Sequence, residues 1–526
     1  MGLLGWGELL NPLEPDSSPA LLLGIDVGTS NVKVAVFTPS GMLKAESSTP
    51  TPTHIPQPGQ AFYHAEELWD AVARVLRGVM AQLEDPAKVV GVAVASMGEA
   101  GVPLDASGKP TAETLAWFDP RTGPQAQFLE RTIGRERLFG VTGLTPLPVY
   151  GLPKVLWLRE HRPEAWRRTV RWLHIADYIA YRLCETMATD FSLASRTLAL
   201  DLERRCWDPG ILSELNLPLE LFAPLVESGT RLGGVTPEAS SATGLPVGTS
   251  VSAGGQDHVC GALAVGVTAP GEVLNSLGTA EVMFVSLEHR IFDPQFAALG
   301  YAQGAHVVPG RNYAFGAMFS SGASVDWVRT LLGATSSAEY GTLLEEAAQI
   351  PPGSLGTTYL PHLHIGNAPH EDPQSRGAFV GLRPGSSRAA LLRATLEGLA
   401  FESRQSLEGL SAFLDVLPQR VTAIGGSTRN ALLLNLKASV LGQPIETSSA
   451  SEAVCLGAAL LAGVGAGLFP SVQAASEGVQ DSHRSVQPDV SHMPYYEAHY
   501  QTVYRPLYAA LRPLNHALAA LEPVPI

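Results

Sequence analysis

Cysteine is scarce in this chain. Cys184, Cys206, Cys260 and Cys455 are the four cysteines among 526 residues. No two of them have the spacing of a metal site or of a disulfide scaffold, and apolar or small residues surround each one, which predicts buried free thiols. Free thiols are typical of a reducing compartment, so we expect a cytoplasmic protein.

Basic residues are also in short supply. The 35 Lys and Arg are outnumbered by 50 Asp and Glu, which gives a net charge of −15 at pH 7. A nucleic-acid surface requires a basic patch or stripe, so this balance argues against a nucleic-acid partner. It is compatible with an anionic small ligand, because backbone amides and one or two cations can hold a phosphate group.

Long hydrophobic runs are missing as well. The most apolar later stretch, residues 453–469, is rich in Gly and Ala and shorter than a bilayer span, so we expect no membrane segment. Residues 1–20 lack a basic n-region and include Glu8, Glu14 and Asp16, which indicates an N-terminal extension rather than a signal peptide. The chain is too long for one hydrophobic core, and two or more domains are expected.

A strand pair around a short turn opens the first half. Residues 21–27 are a continuous apolar run, residues 32–37 alternate, and Gly28-Thr29-Ser30-Asn31 joins them, which predicts a hairpin. A third strand, a helix with apolar residues every three or four positions, and a buried strand are expected to follow. Their predicted ranges are 42–48, 66–83 and 89–96.

The second half repeats this arrangement. Residues 271–286 contain two apolar runs around Gly278-Thr279, and a buried strand at residues 421–424 leads into GGSTRN, residues 425–430. Helical periodicity is found on either side of these motifs. The predicted helices are residues 388–412, 431–441 and 452–463.

The boundary between the halves falls beside one acid. The repeated pattern predicts two α/β domains, residues 21–256 and residues 257–526, with a cleft between them. At the boundary, Gly254 and Gly255 are expected to form a tight turn that lets backbone and ligand approach closely. Asp257 follows directly, and two interpretations are open for it: a helix N-cap, or a carboxylate at the mouth of the cleft that takes part in chemistry.

Two turns and an acid indicate a phosphate site. The turns at residues 28–31 and 278–279 each offer backbone N–H groups and a hydroxyl to an anion, and a plain hairpin turn is the alternative for each. Neither is a Walker A loop, since the chain contains no GxxxxGK[ST]. Asp26 would repel a phosphate unless a cation lay between them, which predicts Mg²⁺ at Asp26. Lys33 either neutralises the transferred phosphoryl group or is a solvated strand lysine.

The motif GGSTRN joins a strand to a helix. Gly425 and Gly426 allow the flat, close approach that an adenine or ribose requires. Asn430 either caps the following helix or hydrogen-bonds a nucleotide. The motif is not GxGxxG, so a dinucleotide-binding fold is not indicated.

These motifs carry a family resemblance that covers about residues 20–515. The chain resembles the FGGY carbohydrate kinases, members of the actin-like and Hsp70-like ATPase superfamily. The segments that carry the resemblance are GIDVGTSNVKVAVF (24–37), PGQAFYHAEELWDAV (58–72), WFDPR (117–121), KVLWLREH (154–161), AGGQDHVCGALAVG (253–266), GEVLNSLGTAEVMF (271–284) and GAFVGLRPGSSRAALLRATLEG (377–398). The resemblance implies two pseudo-duplicated RNase H-like α/β domains around a cleft, ATP with Mg²⁺, and a small sugar or polyol as substrate.

The resemblance also implies a role for each motif. It makes Asp257 the catalytic base and Asp26 the acid associated with Mg²⁺. The ATP contacts, from the residue patterns and the resemblance together, are Gly28, Thr29, Ser30, Asn31, Lys33, Gly278, Thr279, Gly425, Gly426 and Asn430.

Polar groups near the base are expected to select the substrate, because unpaired groups reject the wrong sugar strongly. The candidates are Glu99, Asp119, Arg121, Gln256 and His258. The alternatives are a structural helix-start histidine for His258 and a mutual salt bridge between Asp119 and Arg121. The stretch SMGE, residues 96–99, departs from the pattern usual in xylulokinases and from that of glycerol kinases, so the sugar stays open.

The predicted function is ATP-dependent phosphorylation of a hydroxyl of a pentulose or a related sugar or polyol. The alternatives are a non-catalytic sugar-binding relative, and a kinase for a deoxyhexulose, gluconate or an autoinducer-type polyol. A third is a chaperone- or filament-like ATPase of the same superfamily, which would hydrolyse ATP without a sugar. Homodimers are common among similar proteins, which makes a homodimer the assembly to test.

Overall fold

The computed structural model of the protein describes residues 20–57, 59–450, 452–480 and 484–521. The N-terminal extension predicted for residues 1–20 lies outside these ranges except for its last residue. Each half of the described chain is organised around a central β-sheet. A span of the membrane would need a longer and more apolar helix than any in these ranges.

The first half contains the following elements. Its strands are β1 (Leu21–Val27), β2 (Asn31–Phe37), β3 (Leu43–Pro50), β4 (Phe62–Tyr63), β5 (Val89–Ser96), β6 (Gly101–Leu104), β7 (Thr114–Leu115), β8 (Arg171–His174), β9 (Thr189–Asp190), β10 (Leu200–Asp201), β11 (Cys206–Trp207), β12 (Leu225–Val226), β13 (Arg231–Gly234) and β14 (Ser250–Gln256). Its helices are α1 (Ala65–Met80), α2 (Gly123–Thr132), α3 (Arg135–Thr142), α4 (Gly151–His161), α5 (Pro163–Arg168), α6 (Ile175–Cys184), α7 (Phe191–Ala194), α8 (Pro209–Glu214), α9 (Pro237–Thr243) and α10 (Asp257–Ala264).

The second half continues from there. Its strands are β15 (Glu272–Leu277), β16 (Glu281–Leu287), β17 (Ala302–Ala305), β18 (Asn312–Met318), β19 (Thr358–Leu360), β20 (Ala378–Val380), β21 (Arg420–Ile424), β22 (Ile445–Thr447) and β23 (Arg484–Val486). Its helices are α11 (Pro294–Ala298), α12 (Ser321–Leu331), α13 (Ser337–Ala348), α14 (Arg388–Ser411), α15 (Ala431–Leu441), α16 (Ala453–Gly465), α17 (Val472–Glu477), α18 (Met493–His499) and α19 (Arg505–Leu521).

The first sheet is built around β1, in the strand order β13-β14-β5-β1-β2-β3. Strand β1 pairs antiparallel with β2 and parallel with β5, and β5 pairs parallel with β14. Both faces of β1 are covered. Leu23 and Ile25 pack in a core with α1, while Leu22 packs in a core with α16. Burial on two faces explains why this strand is a continuous apolar run in the sequence.

The second sheet repeats the first, in the order β17-β18-β16-β15-β21-β22-β23. Strand β15 pairs antiparallel with β16 and parallel with β21, as β1 does with β2 and β5. Strands β16 and β18 are antiparallel, and β21 and β22 are parallel. The series β18-β16-β15-β21-β22 therefore has the same order and directions as β3-β2-β1-β5-β14. The predicted duplicated α/β fold is confirmed.

One hydrophobic core joins the two halves. Helix α16 comes late in the sequence, yet it packs on β1, β5 and β14 of the first sheet and against α10. The helices approach very closely, since a Cβ atom added at Gly457 of α16 would lie 1.9 Å from the carbonyl oxygen of Cys260 in α10. The same core includes Leu274 of β15 and Phe284 of β16. The functional groups of both halves are positioned by elements that pack in this continuous core.

Two expectations from the sequence are wrong. Gly254 and Gly255 do not form a turn but lie within β14, which has an irregular register with β5 at this point. A Cβ atom at Gly254 would lie 1.8 Å from the carbonyl oxygen of Val94, so glycine is needed here for strand contact rather than for turning. Cys206, in β11, is exposed, whereas the other three thiols are free and buried as predicted. The domain boundary between residues 256 and 257 stays a prediction.

Candidate active site

A cavity of about 330 Å³ lies between the halves. Thr29, Glu99 and Asp257 line it from the first half, and Ser276 and Ala280 line it from the second. In the sheet register, Val27 of β1 pairs with Ser96 of β5, and Ser96 pairs with Gln256 of β14. The cavity is therefore placed where the carboxyl ends of three parallel strands meet, which is the usual ligand position in an open α/β sheet.

Asp257 begins α10 but does not cap it. The N-cap is Gln256, whose side-chain oxygen accepts from Val259 N at 3.3 Å. Oδ1 of Asp257 accepts from Gln256 Nε2 at 2.7 Å and from His258 N at 2.7 Å, which fixes the orientation of the carboxylate. Burial raises the pKa of this carboxyl. The N-cap alternative for Asp257 is wrong, and a partly buried, oriented carboxylate lines the cavity.

Asp26, at the end of β1, is a second partly buried acid. Its Oδ1 has no hydrogen-bond partner among the described residues. Burial raises its pKa to about 8, repulsion from Asp257 adds to the rise, and Lys33 opposes it. An orphaned carboxylate oxygen beside another carboxylate is a suitable environment for a hard divalent cation, so the residues present fit Mg²⁺.

Lys33 lies in β2 and reaches across to the second half. Its Nζ donates to both carboxylate oxygens of Glu452, at 2.8 and 3.1 Å. Glu452 immediately precedes α16. Lys33 is therefore neither a plain solvated lysine nor an unpaired cation in this state, and the ion pair connects the two halves beside Asp26.

Both predicted turns are found at the ends of hairpins, one in each sheet. The first is held by Thr51, whose Oγ1 donates to Gly28 O at 2.7 Å and whose N donates to Ser30 O at 3.0 Å. The indole of Trp117 donates to Thr29 Oγ1 at 2.9 Å. The loop after β3 and the WFDPR loop thus support the first turn from outside.

The second turn is supported by the start of α12. Gly278 O accepts from Gly322 N at 3.2 Å, and Thr279 O accepts from Ala323 N at 3.1 Å. Gly28 N and Gly278 N donate within their own turns, to Asn31 O at 3.1 Å and to Ala280 O at 2.9 Å, so the donors that remain for an anion are the other amides and the hydroxyls. Thr29 from one turn region and Ala280 from the other line the same cavity.

The GGSTRN loop lies behind the second turn. Gly425 has φ +99°, and a Cβ atom there would lie 2.5 Å from Leu277 O at the end of β15, so the loop abuts that strand. Gly426 begins a short 3₁₀ turn. Asn430 caps α15, since its Oδ1 accepts from Leu433 N at 3.0 Å, while its Nδ2 donates to Tyr340 Oη at 3.2 Å. The capping interpretation of Asn430 is confirmed, and a nucleotide contact stays a prediction.

Asp119 and Arg121 form the mutual salt bridge that was one of the two interpretations. Arg121 donates through Nε and Nη2 to Asp119, at 2.8 to 3.0 Å, and Asp119 also accepts from Ala61 N at 2.8 Å. Neither side chain lines the cavity, although Trp117 of the same motif does. The pair organises the loop that carries Trp117. A direct sugar contact by either residue stays a prediction.

Glu99 and Arg196 form a buried pair on the cavity wall. Glu99 Oε1 accepts from Arg196 Nε at 2.7 Å and from Nη2 at 2.6 Å, and the side chains are 12% and 4% exposed. The guanidinium also lies over the rings of Tyr150 and Phe315, at 5.0 and 5.4 Å from their centroids. Its Nη1 is buried without a partner among the described residues. Sequence reasoning selected Glu99 but missed Arg196, because nothing in the local pattern SLASRT marks it as a site residue.

The remaining walls were also missed. They are largely apolar or aromatic, and they include Met97, Leu147, Val149, Tyr150, Phe315 and Phe319. One further acid, Glu371, lines the cavity, and burial raises the pKa of its carboxyl. His258 lines the cavity as predicted, with its ring 6.3 Å from that of Phe315. Apolar walls with a few placed polar groups are typical of a small-molecule site.

Comparison with known families decides what this site belongs to. The N-terminal domain of the FGGY family of carbohydrate kinases matches residues 21–264, and the C-terminal domain of the same family matches residues 273–466. The chain is a member of the FGGY family. It is a carbohydrate kinase, and enzymes of this family use ATP, generally with Mg²⁺.

Relatives of this FGGY kinase match over almost its whole length. The xylulose kinase of Lactococcus lactis subsp. lactis (strain IL1403) is 30% identical over 499 residues, which is 94% of this chain and 98% of that protein. An autoinducer-2 kinase of Yersinia enterocolitica serotype O:8 is 30% identical over 506 residues, 92% of this chain and 94% of that protein. The structure of xylulose kinase from Rhodospirillum rubrum has a TM-score of 0.85 at 27% identity and covers 94% of this chain and 100% of that one. The actin-like two-domain fold implied by the resemblance is thereby confirmed.

Proposed function

We propose that this kinase transfers the γ-phosphoryl group of ATP to a hydroxyl of a neutral pentulose or a related sugar or polyol. The observation that carries the proposal is the position of Asp257, a partly buried and oriented carboxylate on the wall of a cavity reached by hairpin turns from both halves. The relatives of this kinase that are named xylulose kinase support the same substrate class.

Asp257 acts as the general base. Its Oδ1 accepts hydrogen bonds from Gln256 and His258. Its Oδ2 accepts none from the part of the chain that the structure describes. Oδ2 accepts the proton of the substrate hydroxyl as the hydroxyl oxygen attacks the phosphorus. The raised pKa brings the base nearer to the working pH, which favours proton transfer. General base catalysis contributes about 10²–10⁴-fold to the rate.

The remaining predicted residues hold the nucleotide end of the reaction. Backbone N–H groups and hydroxyls of the two turns bind phosphate oxygens, and the loop that begins at Gly425 lies where adenosine would follow. Asp26 would hold Mg²⁺, and that ion, when bound, supplies neutralisation of phosphate charge. Lys33 would release Glu452 and bind the transferred phosphoryl group instead. The residues concerned in the turns are Gly28, Thr29, Ser30, Asn31, Gly278 and Thr279, and those in the loop are Gly425, Gly426 and Asn430.

The charges in the cavity favour a neutral substrate. Arg196 is the guanidinium of the wall, and Glu99 already compensates its charge. Asp257 and Glu371 add carboxyl groups to the same lining. A sugar acid such as gluconate would bring a further negative charge, and the described residues of the lining include no unpaired Lys or Arg to meet it. Hydroxyl groups, in contrast, can donate to Glu99, whose side chain is 12% exposed, while Gln256 and His258 lie beside the base.

The test is an ADP-release assay over a panel of sugars and polyols. It includes D-xylulose, a deoxyhexulose, gluconate and an autoinducer-type polyol, with wild type and Asp257→Asn. We expect turnover of a neutral ketose by wild type, and a loss of a hundredfold or more in Asp257→Asn with ATP binding retained, because only the proton acceptor is removed. Turnover of the variant within tenfold of wild type would exclude Asp257 as the base.

Two other results would overturn the proposal. ATP hydrolysis that is independent of every sugar would identify an ATPase of the wider superfamily. Sugar binding without any ADP release would identify a non-catalytic relative.

A further inference from the structure

A cluster of two histidines and one glutamate lies on the surface of the first half, apart from the cavity. His54, His64 and Glu67 each offer one ligand atom, and the three atoms lie within 4.8 Å of one another. His54 Nε2 and Glu67 Oε2 are 2.6 Å apart, and the rings of His54 and His64 are 4.7 Å apart at 66°. No residue of this cluster takes part in the proposed kinase mechanism. We propose that it is a zinc-binding site.

The backbone holds the three residues together before any metal binds. His54 and Phe62 form an isolated bridge, with His54 N to Phe62 O at 2.9 Å and Phe62 N to His54 O at 3.0 Å. His64 follows two residues later as the N-cap position of α1, and its side chain makes no capping hydrogen bond. Glu67 lies one turn into the helix, on the same face as His64 because residues three apart are neighbours. The positions of the three ligands are therefore set by a β-bridge and a helix rather than by a mobile loop.

The ring of His54 is also held in place. It stacks on Phe62, with centroids 5.2 Å apart and an angle of 12° between the planes, and Phe62 contacts His64 edge-on at 5.2 Å. His54 and Glu67 are 41% and 46% exposed, so a metal ion in solution can reach them. Exposure also lets the side chains rotate. A tetrahedral zinc site with bonds of about 2.0–2.1 Å needs ligand atoms about 3.3 Å apart, so the present separations require shifts on the order of 1 Å.

The ligand set points to zinc rather than to the magnesium of the kinase reaction. Two imidazoles and one carboxylate, with the fourth position left to water, are a known ligand set of Zn²⁺. Mg²⁺ prefers oxygen ligands alone and keeps several of its waters. A helix N-terminus carries positive partial charge and disfavours a cation, but Glu67 in the first turn of α1 opposes that effect, whereas Glu66 pairs with Arg182 at 2.6 Å.

A metal here would tie the segment before α1 to the helix itself. The same segment begins at Thr51, which donates to Gly28 O and Ser30 O in the first turn of the cavity. The site would thus fasten the outer support of that turn. The proposal concerns binding and stability only and stands whether or not the proposed kinase reaction is correct.

The test is equilibrium binding of Zn²⁺ to the full-length protein in the presence of excess Mg²⁺, which saturates the carboxylates of the cavity. Cys206 is exposed, and thiolates bind zinc, so every protein carries Cys206→Ser. The variants are His64→Ala and Glu67→Gln, both at exposed positions. The matched control is His492→Ala, which removes an exposed histidine that pairs with Asp489 at 3.1 Å elsewhere on the surface.

We expect one Zn²⁺ per chain for the parent protein and for His492→Ala, together with a rise in the unfolding temperature when Zn²⁺ is added. Affinity should fall at least tenfold in His64→Ala and in Glu67→Gln. Binding that is unchanged by His64→Ala, or that His492→Ala weakens as strongly, would overturn the assignment. So would the absence of any saturable binding in the parent protein.

Discussion

Arg196 is a charged side chain in the cavity wall, and only 4% of it is exposed to solvent. A buried guanidinium is costly unless it is paired, and Glu99 provides that pairing at 2.6 and 2.7 Å. The rings of Tyr150 and Phe315 stabilise the cation further. The pair as a whole is neutral, and Nη1 of the guanidinium is buried without a hydrogen-bond partner among the described residues. Selection among substrates at this wall therefore depends on the balance between two side chains rather than on either one.

Glu99→Gln is predicted to shift the selectivity towards sugar acids. The change leaves Arg196 with an uncompensated positive charge, which can meet a carboxylate. We expect the ratio of kcat/KM for gluconate to that for the preferred neutral ketose to rise at least tenfold, which corresponds to about 1.4 kcal/mol. The measurement is the same ADP-release assay with both substrates.

Glu371→Gln is the matched control for this change. It also removes a carboxyl group from the cavity lining, but Glu371 is not the ion-pair partner of Arg196. The ratio should change by less than about threefold, well under 1 kcal/mol. An equal shift in both variants would show that general charge, and not the pairing of Arg196, sets the selectivity.

At the scale of elements, β14 positions the base. The strand ends at Gln256, and α10 starts with Asp257, so any displacement of β14 moves the carboxylate. Gly254 allows β14 to lie against β5, because a Cβ atom there would overlap the carbonyl oxygen of Val94. A second element, α4, supports the opposite wall. Its Lys154 donates to the carbonyl oxygens of Val149, Pro148 (3.4 Å) and Tyr150 (3.5 Å), in the loop that lines the cavity.

Gly254→Ala is predicted to destabilise the protein strongly and to lower turnover. The added methyl group would overlap the backbone of Val94 rather than a movable side chain. The loss of free energy of unfolding should therefore exceed the value typical of an added methylene in a packed core, about 1–3 kcal/mol. Gly341→Ala in α13 is the control, since nothing lies within 4 Å of its added Cβ and a helical Gly-to-Ala change stabilises by roughly 0.5–1 kcal/mol. Chemical denaturation measures both, and a Gly254→Ala protein as stable as wild type would disprove the close strand contact.

Lys154→Met is predicted to alter the pH dependence of stability. Burial lowers the pKa of Lys154 to about 7 from an ordinary 10.5. Between these values the folded state binds fewer protons than the unfolded state, so this lysine makes stability increase with pH, by up to about 1.4 kcal/mol per pH unit. The penalty for burying the charged form of Lys154 is absent above its ordinary pKa of 10.5, and it reaches its full size as the pH falls to about 7.

The measurement is denaturant unfolding of wild type and Lys154→Met at pH values between about 7 and 10. The difference in free energy of unfolding, wild type minus variant, should grow with pH, because other titrating groups cancel in the difference. A difference independent of pH would mean that Lys154 is not desolvated in the folded state.

On the scale of the whole molecule, two halves of the same topology share one core and one cavity. Helices α10 and α16 provide the contact beneath, and the ion pair between Lys33 and Glu452 joins the halves beside Asp26. Closing of domains around substrates excludes water from a phosphoryl transfer. An ion pair that exchanges one partner for a phosphate on closing would couple nucleotide binding to the arrangement of the halves.

Lys33→Met and Glu452→Gln separate the two roles of this pair. If Lys33 binds the phosphoryl group in the transition state, its removal should lower kcat by about 10²-fold, as for other single donors to a developing charge. Glu452→Gln keeps the lysine and should change kcat much less. Steady-state kinetics with varied ATP measures both, and equal losses in the two variants would indicate that the pair is only a link between the halves.

Much of this fold was predictable because its signals are local. The apolar run at residues 21–27, the turn at residues 28–31 and the alternation at residues 32–37 are contiguous, and together they predict a hairpin that the structure contains as β1 and β2. The same pattern at residues 271–286 predicts β15 and β16. In contrast, Gly254-Gly255 resembles a turn in sequence, and only the presence of Val94 in the neighbouring strand makes it a strand contact.

The sequence by itself determined the duplicated fold, the family and the identity of the acids at the strand ends, because strand and turn propensities depend on neighbours along the chain. The tertiary structure alone decided which distant side chains meet. Glu99 and Arg196 are 97 positions apart, and Lys33 and Glu452 are 419 apart. No local pattern specifies such pairs, since each depends on how strands and helices from both halves pack around one buried core.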